Sequence, residues 1–381
     1  MVLLGVVALS GCLNQPGDTA RIELVSSSTA KGYRLDYYRN RAYPCAVSGY
    51  QTFVVLTKLG TDPAATRPMW VKMHGGGIGY FNAAGTAVPS ERWMHEESLA
   101  SLMGSFDTGL MASVLGGAEE FRAVIVSMCS HDLYAGANTP DRNNPNLTPE
   151  GSPRTTNGLL ATKAAVQFAT GAFPTDDVFL QGGSAGSAGA IHVAWSMQLQ
   201  GIAPAGVVAD AGVINLGYEQ GQIDQGLPCA RPAEAAEVLP SRFHPDIASP
   251  ANQPHLLVAD GRLTVPMLHT WSQQDPNVCG GTMMACPLPD GSSPAMMSAD
   301  CAHEPLRAAI DGQGPSSRSL NLRLCVDDPA KPRPATSTWS PTTRRCATRS
   351  PASLPSTCRS CTTGCVPGSP TTRSSRRAGR G

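Results

Sequence analysis

The sequence has few charged residues, few aromatic residues and no hydrophobic run long enough to cross a membrane as a helix. Charged residues occupy 15% and aromatic residues 6% of the 381 positions, and the formal net charge at pH 7 is zero. Nucleic-acid binding needs many lysines and arginines against phosphates, and a membrane-spanning helix needs about 20 apolar residues. These absences argue against a nucleic-acid-binding protein and against a multi-span membrane protein.

Acidic residues are missing from the C-terminal segment Pro329–Gly381, which holds ten of the 29 lysines and arginines and none of the 29 acidic residues. Such a charge asymmetry is typical of a segment with its own origin or partner. The segment consists largely of Arg, Ser, Thr, Pro and Cys with almost no apolar periodicity. We predict that residues 329–381 form a basic low-complexity tail that is either disordered or translated in the wrong frame.

The N-terminus resembles the signal of a bacterial lipoprotein. A short apolar run, Val2–Ala8, ends in Leu9-Ser10-Gly11-Cys12, which is similar to the motif at which such signals are cleaved before a lipid-bearing cysteine. The run lacks the basic residues that usually precede it. We expect residues 1–19 to be a signal and tether, with lipid on Cys12 holding an exported domain at a membrane surface.

Alternating apolar strands and helices predict an α/β fold over residues 20–328, with a mostly parallel sheet covered by helices on both faces. We expect helices at Gly158–Thr170, Ala190–Leu199 and Ala302–Ile310. The Pro-rich stretches Asp141–Arg154 and Tyr218–Asn252 are expected to be loops. Strands are predicted at Arg34–Tyr38, Thr52–Lys58, Pro68–Met73, Phe121–Met128, Asp177–Leu180, Gly206–Ala209, Leu263–Thr270 and Leu320–Cys325.

The most specific motif is Gly182-Gly183-Ser184-Ala185-Gly186, a G-x-S-x-G sequence between a predicted strand and a predicted helix. In this context the motif is typical of a nucleophile elbow, whose tight turn exposes the serine hydroxyl. Glycine is needed where side chains would clash. We predict Ser184 as the nucleophile, because Ser187 lacks the glycine two residues before it.

A second motif, His74-Gly75-Gly76-Gly77, follows another predicted strand. Glycines let backbone N–H groups approach a developing oxyanion closely, and the N–H after the nucleophile completes the hole. We therefore assign the oxyanion hole to Gly76, Gly77 and Ala185.

The acid of a catalytic triad is expected after a later strand, in the order Ser, acid, His. Asp275 follows the predicted strand Leu263–Thr270, and Asp210 follows the strand before it. We favour Asp275, whose role would be to orient the histidine and stabilise its cation.

Three segments make residues 35–325 similar to the pectin acetylesterase and Notum family. They are the glycine run 75–77, Cys129-Ser130-His131-Asp132-Leu133-Tyr134-Ala135-Gly136, and the G-x-S-x-G motif. His131 and Tyr134 depart from the pattern of the Notum branch in the middle segment. The resemblance implies an α/β-hydrolase fold, cleavage of carboxylic esters, and functional roles for Gly76, Gly77, Ser184, Ala185 and Asp275.

A histidine after the last core strand is missing, and the last histidine in the chain is His303. His303 precedes that strand, so it is the remaining candidate for the base but stands in the wrong order. His74 and His131 precede the nucleophile. A shifted reading frame would explain the absence of this histidine. When the third base of each codon is read with the first two of the next, the codons for Ala335–Thr342 can encode Asp-Leu-His-Val-Val-Thr-Asp. Ser360–Thr372 can likewise encode a histidine followed by an amphipathic helix.

These features predict a serine esterase that acts through an acyl-enzyme, with an acylated polysaccharide as the expected substrate and no metal or organic cofactor. A lipase or depolymerase on the same fold is an alternative, and a non-catalytic surface lipoprotein is another. In an exported protein, Cys279, Cys286 and Cys301 are expected to pin a loop through a disulfide.

Overall fold

A central sheet runs through the part of the chain that the computed structural model describes, residues 13–314 and 316–324. The strands in chain order are β1 (Ile22–Ala30), β2 (Tyr33–Pro44), β3 (Tyr50–Lys58), β4 (Arg67–Met73), β5 (Tyr80–Phe81), β6 (Ala87–Val88), β7 (Arg122–Val126), β8 (Thr139–Pro140), β9 (Thr155–Thr156), β10 (Thr175–Gly183), β11 (Gly206–Asp210), β12 (Met267–Ser272), β13 (Met283–Ala285), β14 (Ala295–Met297) and β15 (Leu320–Leu324). The helices are α1 (Leu99–Leu102), α2 (Gly109–Leu115), α3 (Gly158–Ala172), α4 (Ala185–Leu199), α5 (Leu216–Asp224), α6 (Ala233–Val238), α7 (Pro245–Ala248), α8 (Pro254–Ala259) and α9 (Ser298–Gly312).

The described sheet has nine strands in the order β1-β2-β3-β7-β4-β10-β11-β12-β15. Strands β1, β2, β3 and β7 pair antiparallel, and every other neighbouring pair in this sheet is parallel. Strand β7 lies between β3 and β4 although it follows both in the chain. This crossover and the parallel strands after it form the α/β-hydrolase fold that the sequence predicts.

Helices cover both faces of the sheet, because successive residues of each strand point to opposite sides. On one face Val55, Val71 and Val124 join a core cluster that includes residues of α3, α4 and α9. On the other face Val54 and Ile125 join a smaller cluster that includes residues of α1 and α2. The strands are consequently apolar on both sides, as the buried residues 123–126 of β7 show.

Several element boundaries differ from the sequence-based prediction. Strand β12 begins at Met267 rather than Leu263, because Pro266 cannot donate to the parallel ladder. Helix α4 begins at Ala185 rather than Ala190, and its glycines are helical because they pack closely against neighbouring backbone and side chains. The predicted loop Tyr218–Asn252 contains most of α5 and all of α6 and α7. Strand β1 was not predicted.

Three disulfides occur among the described residues, Cys45–Cys129, Cys229–Cys279 and Cys286–Cys301. The expected disulfide-pinned loop is present, closed by the last of these pairs over a sequence separation of 15 residues. Cys279, which we grouped with that loop, is instead joined to the segment after α5. Cys12 and residues 329–381, for which we predict a lipid and a basic tail, lie outside the described residues.

Candidate active site

Ser184 stands at a sharp turn between β10 and α4, with φ of 53° and ψ of −119°. A Cβ on Gly182 would lie 1.8 Å from the carbonyl oxygen of Gly186, and a Cβ on Gly186 would lie 2.2 Å from the carbonyl oxygen of Met73. Only glycine fits these two positions, so they allow a turn that holds Ser184 in a strained conformation. The serine is partly exposed at the carboxyl edge of the sheet.

Ser187, the other serine of this turn, has a structural role. Its side chain is fully buried, and its Oγ donates a hydrogen bond of 2.5 Å to the carbonyl oxygen of Gly212. Gly212 in turn lies directly against the backbone of Ser184, since a Cβ there would be 2.0 Å from the Ser184 carbonyl oxygen. Ser187 therefore positions the segment beside the nucleophile and is not accessible to a substrate.

The glycine run after β4 lies beside the nucleophile. A Cβ on Gly75 would be 2.9 Å from Cβ of Ser184, so the two segments are in direct contact. Within the described residues, the backbone N–H groups of Gly76, Gly77 and Ala185 donate to no protein acceptor. Gly76 and Gly77 are exposed, and Ala185 begins α4, whose N-terminus carries partial positive charge. These groups form the anion-binding side of the candidate site.

Side chains of the segment 129–136 donate hydrogen bonds to the backbone of the glycine run and of His74 before it. The Nε2–H of His131 donates to the carbonyl oxygen of Gly76 at 3.1 Å, and the hydroxyl of Tyr134 donates to the carbonyl oxygen of His74 at 3.1 Å. The buried carboxylate of Asp132 accepts hydrogen bonds from the backbone N–H groups of Tyr134, Gly136 and Gly158. Burial lowers the pKa of His131 to about 4, so the ring is neutral at pH 7.

Arg242 is a support that the sequence analysis missed, because it lies in a stretch predicted as a loop. Its side chain is fully buried and donates to the carbonyl oxygens of Gly79 at 2.5 Å and Ser130 at 2.8 Å. Its guanidinium also lies 3.3 Å from the buried carboxylate of Asp141. The Arg242 guanidinium thus links the loop that holds the glycine run to the segment 129–136. No sequence motif marks this arginine.

His74 forms a buried ion pair with Glu97 at the base of the glycine loop. Its Nδ1 lies 2.8 Å from the carbonyl oxygen of Gly75, and its Nε2 lies 2.9 Å from a carboxylate oxygen of Glu97. Burial by itself lowers the pKa of His74, but its hydrogen bonds to Glu97 and Gly75 and the negative charge of Glu97 outweigh burial and raise it. Because both ring nitrogens face acceptors, the arrangement suits an imidazolium. Both ring nitrogens of His74 are thereby engaged by Gly75 and Glu97, so neither is free to act as a base for Ser184.

Asp275 follows β12 on a loop at the same edge of the sheet as Ser184. Asp275 is 6% exposed, and its carboxylate accepts a hydrogen bond of 2.9 Å from the backbone N–H of Asn277. Burial raises the pKa of Asp275, and the nearby charge of Asp210 adds to this effect. The Cys229–Cys279 disulfide and the 2.7 Å hydrogen bond from Gly280 to the Asp275 carbonyl oxygen hold the loop.

Asp210, the rival acid, ends β11 directly beside the nucleophile. Its carbonyl oxygen accepts the backbone N–H of Ser184 at 2.7 Å, and its carboxylate accepts the hydroxyl of Thr270 at 2.6 Å. Asp210 therefore lies beside the elbow. Asp275 stands on the loop that follows strand β12.

His303 does not lie in the triad position, which corrects its assignment as the candidate base. Its Nδ1 is 2.8 Å from Nε2 of His269, and its ring stacks on Trp271 at 5.4 Å. The face of α9 that carries His303 packs against β12, so the side chain is only 2% exposed. Burial and the neighbouring ring of His269 hold the pKa of His303 well below its usual range. Among the described residues, no histidine contacts the Asp275 carboxylate.

A cavity of about 180 Å³ lies under helices α5 and α6. Ile214, one of its walls, is two residues from Gly212, which touches Ser184. The charged pair Glu219–Arg231, joined at 3.2 Å, lies among the lining residues. The remaining lining is mostly apolar and includes Leu133, Leu216, Ala235, Ala236, Leu239 and Phe243.

Metal-ligand clusters and membrane-spanning helices are both missing from residues 13–314 and 316–324. No group of three or more His, Cys, Asp or Glu side chains there is placed to hold a metal ion. No helix in the same residues is long and apolar enough to span a bilayer.

Comparison with known proteins gives similarity at the level of solved structures. No family model and no curated protein matches the chain. A brefeldin A esterase described as a bacterial homologue of human hormone sensitive lipase is 16% identical, covers 80% of this chain and 68% of its own, and has a TM-score of 0.39. Carboxyl esterase 2 from the fungus Tuber melanosporum is 13% identical over 79% of this chain and 78% of its own, with a TM-score of 0.42. A thermostable esterase from Pseudomonas putida is 14% identical over 81% of this chain and 76% of its own, with a TM-score of 0.41. At these values, the assignment to the α/β-hydrolase fold rests on the strand order and the elbow.

Proposed function

We propose that this protein is a serine carboxylic-ester hydrolase that acts through an acyl-enzyme. The observation that carries the proposal is the contact between the strained, partly exposed Ser184 and the glycine run 75–77, in which the N–H groups of Gly76 and Gly77 have no acceptor among the described residues. Backbone N–H groups placed beside a nucleophile stabilise the oxyanion of acyl transfer. A binding protein has no need of a strained serine at this position.

In the proposed reaction, Oγ of Ser184 forms a bond to the ester carbonyl carbon and gives its proton to a histidine. The N–H groups of Gly76, Gly77 and Ala185 hold the oxyanion, and the alkoxide leaves with the proton from the histidine. Water then hydrolyses the acyl-enzyme by the same steps. Asp275 orients the histidine and stabilises its cation. The buried Asp275 carboxylate, which has no histidine partner among the described residues, is suited to this role.

We propose that the base is a histidine encoded in the shifted reading frame that we infer for the region after β15. A histidine following this strand would lie at the same sheet edge as Asp275, because β15 pairs in parallel with β12. In the written frame that histidine is absent, and loss of a triad base costs several orders of magnitude in rate. The chain as written is therefore proposed to have little turnover.

The substrate is proposed to be a short-chain ester, such as an acetyl group on a polysaccharide. The cavity of about 180 Å³, whose wall residue Ile214 lies two residues from Gly212 beside Ser184, has room for a small apolar group. The similarity of three sequence segments to pectin acetylesterases supports the choice of acetyl esters.

Labelling with a fluorophosphonate tests the nucleophile, and p-nitrophenyl acetate tests turnover. We expect the frame-restored chain to be labelled at Ser184 and to hydrolyse the ester. Ser184→Ala is expected to abolish both, whereas the control variant Ser28→Ala, altered at an exposed serine on β1, keeps a labelled Ser184. Labelling of Ser187 or another residue in place of Ser184 would contradict the proposal.

A second candidate function is that of a non-catalytic surface lipoprotein that binds a ligand in a hydrolase-like pocket. The absence of a histidine at Asp275 among the described residues favours it. Fresh sequencing of the gene across the codons for Cys325 to Ser340 separates the two functions. A missing or extra base supports the esterase, and a confirmed frame supports the binding protein.

We propose further that the protein is exported and held at a membrane by lipid on Cys12. Three disulfides among the described residues support export, because disulfides persist in oxidising compartments. The resemblance of Leu9-Ser10-Gly11-Cys12 to a lipoprotein cleavage motif supports the anchor. Mass spectrometry of the N-terminal peptide from membranes tests this, since an unmodified Cys12 would contradict it.

A further inference from the structure

The segment that follows Cys12 is fixed on the domain from its first described residue. Leu13 is 4% exposed and belongs to the main core cluster. Its carbonyl oxygen accepts hydrogen bonds from Nζ of Lys163 at 3.1 Å and from Oγ of Ser196 at 2.6 Å. The carbonyl oxygen of Asn14 accepts from Gln200 at 2.7 Å. These contacts attach the segment to α3 and to the C-terminal end of α4, where the sequence analysis expected a free tether.

Lys163 is the centre of this attachment. The side chain is fully buried, and its ammonium donates to the carbonyl oxygens of Leu13 and Gln15 and to the hydroxyl of Ser196. An ammonium has three N–H donors, so all of them are used. Burying a cation costs free energy unless its donors are satisfied. Two of the three acceptors come from residues 13–15, so this segment is part of the packed structure of the domain.

The attachment continues to the start of the sheet. A Cβ on Gly17 would lie 2.3 Å from the backbone nitrogen of Ala164, so the segment lies directly on α3. The backbone N–H of Asp18 donates to the hydroxyl of Tyr43 at 2.7 Å. Contacts to the domain are thus made by Leu13, Asn14, Gln15, Gly17 and Asp18, so the segment is held against the domain at both of its ends.

Two exposed apolar side chains lie beside the attachment point. Leu199 is 46% exposed and Ile202 is 49% exposed. They flank Gln200, which binds the backbone of Asn14. We call the two exposed side chains, Leu199 and Ile202, the anchor face. Ser184 lies at the other end of the same helix, and the 12 residues from Ser184 to Ser196 correspond to about 18 Å along the axis.

We propose that the anchor face rests on the lipid surface that holds Cys12, so that the active site points away from the membrane. The inference rests on lipidation of Cys12 and is independent of whether Ser184 is catalytic. A lipid on the residue next to Leu13 brings this end of α4 to the bilayer, because the segment 13–18 is held against the domain at both of its ends. Leu199 and Ile202 then enter the interface, where apolar side chains gain free energy. The substrate comes from outside the membrane and is not a bilayer lipid.

Quenching of tryptophan emission by brominated lipids tests the orientation. The full-length chain is produced in a host that lipidates it and is placed in phosphatidylcholine–phosphatidylglycerol vesicles with or without brominated acyl chains. Leu199→Trp and Ile202→Trp report on the anchor face. Met283→Trp is the matched control, because Met283 is an equally exposed apolar residue, 55% accessible, on β13 after the Asp275 loop. The emission of the parent chain is subtracted from each variant.

We expect the tryptophans at positions 199 and 202 to lose about half of their emission, since an apolar face enters an interface by about 5–10 Å. The tryptophan at position 283 is expected to be unchanged. A linker of about ten Gly and Ser residues between Cys12 and Leu13, which spans about 17 Å, is expected to reduce the quenching at 199 and 202.

Three results would overturn the proposal. One is equal quenching at positions 283 and 199, which would place the active site at the membrane. Another is no quenching at 199 and 202 in a chain shown by mass spectrometry to be lipidated. The third is an unmodified Cys12. None of these readouts uses ester hydrolysis, so a failure here is distinguishable from a failure of the proposed function.

Discussion

Replacing Gly182 by alanine is expected to disrupt the nucleophile turn, whereas replacing its neighbour Gly183 is expected to be tolerated. A Cβ on Gly182 would lie 1.8 Å from the Gly186 carbonyl oxygen and 2.4 Å from the Ser187 backbone nitrogen. Both neighbours are backbone atoms, so the start of α4 would have to move by more than about 1 Å to reach an ordinary contact distance. A Cβ on Gly183 would meet nothing within 4 Å.

The magnitude follows from the cost of overpacking, which is typically 1–3 kcal/mol and larger where backbone must move. We expect Gly182→Ala to lower the free energy of unfolding by about 3 kcal/mol. At about 2–4 °C per kcal/mol, this lowers Tm by roughly 6–12 °C. Gly183→Ala is expected to change stability by less than about 1 kcal/mol, because alanine restricts the unfolded chain without a clash in the folded one.

Thermal unfolding followed by circular dichroism measures both variants in the chain as written. Fluorophosphonate labelling of Ser184 in the frame-restored chain gives a second readout, which Gly182→Ala is expected to lose and Gly183→Ala to keep. Equal Tm values for the two variants would refute the steric argument. Normal labelling of Gly182→Ala would refute the claim that this glycine sets the position of Ser184.

Three further predictions concern the supports of the site. Arg242→Met is expected to lower the free energy of unfolding by about 3–5 kcal/mol, because it leaves the buried Asp141 carboxylate without its cation; an unchanged urea midpoint would contradict this. The raised folded-state pKa of His74 means that its stabilising effect is complete below the unfolded pKa of about 6.5 and is lost as pH rises through the folded value. The unfolding free energies of wild type and His74→Gln are thus expected to converge with rising pH, and a constant difference would show that the histidine charge has no part. Cys229→Ser is expected to cost about 4 kcal/mol, as chain entropy gives for the 50-residue separation from Cys279; chemical denaturation checks this, with oxidised wild type as the comparison, and an unchanged midpoint would contradict it.

Local sequence was sufficient to predict the fold class and the elbow. Apolar runs separated by turns predicted the parallel strands, since strands buried on both faces need such runs. The spacing of Gly182, Ser184 and Gly186 predicted the sharp turn, because backbone contacts within a few residues decide which side chains fit there. The position of Asp275 after β12 could be predicted for a similar reason, since parallel strands bring their carboxyl ends to one edge.

The roles of His303 and Arg242 depend on contacts between residues far apart in the chain. A single sequence shows no pattern for such contacts. His303 was the last histidine in the chain, yet the packing of α9 on β12 pairs it with His269, 34 residues away. Arg242 supports the glycine loop from a distance of 163 residues along the chain. The residues after Cys12 looked like a polar tether because their binding groups are backbone carbonyls, which every residue has. Only the folded chain places the buried ammonium of Lys163 opposite them. Sequence thus determined which residues can form the turn and the strands, and tertiary structure determined which polar groups meet.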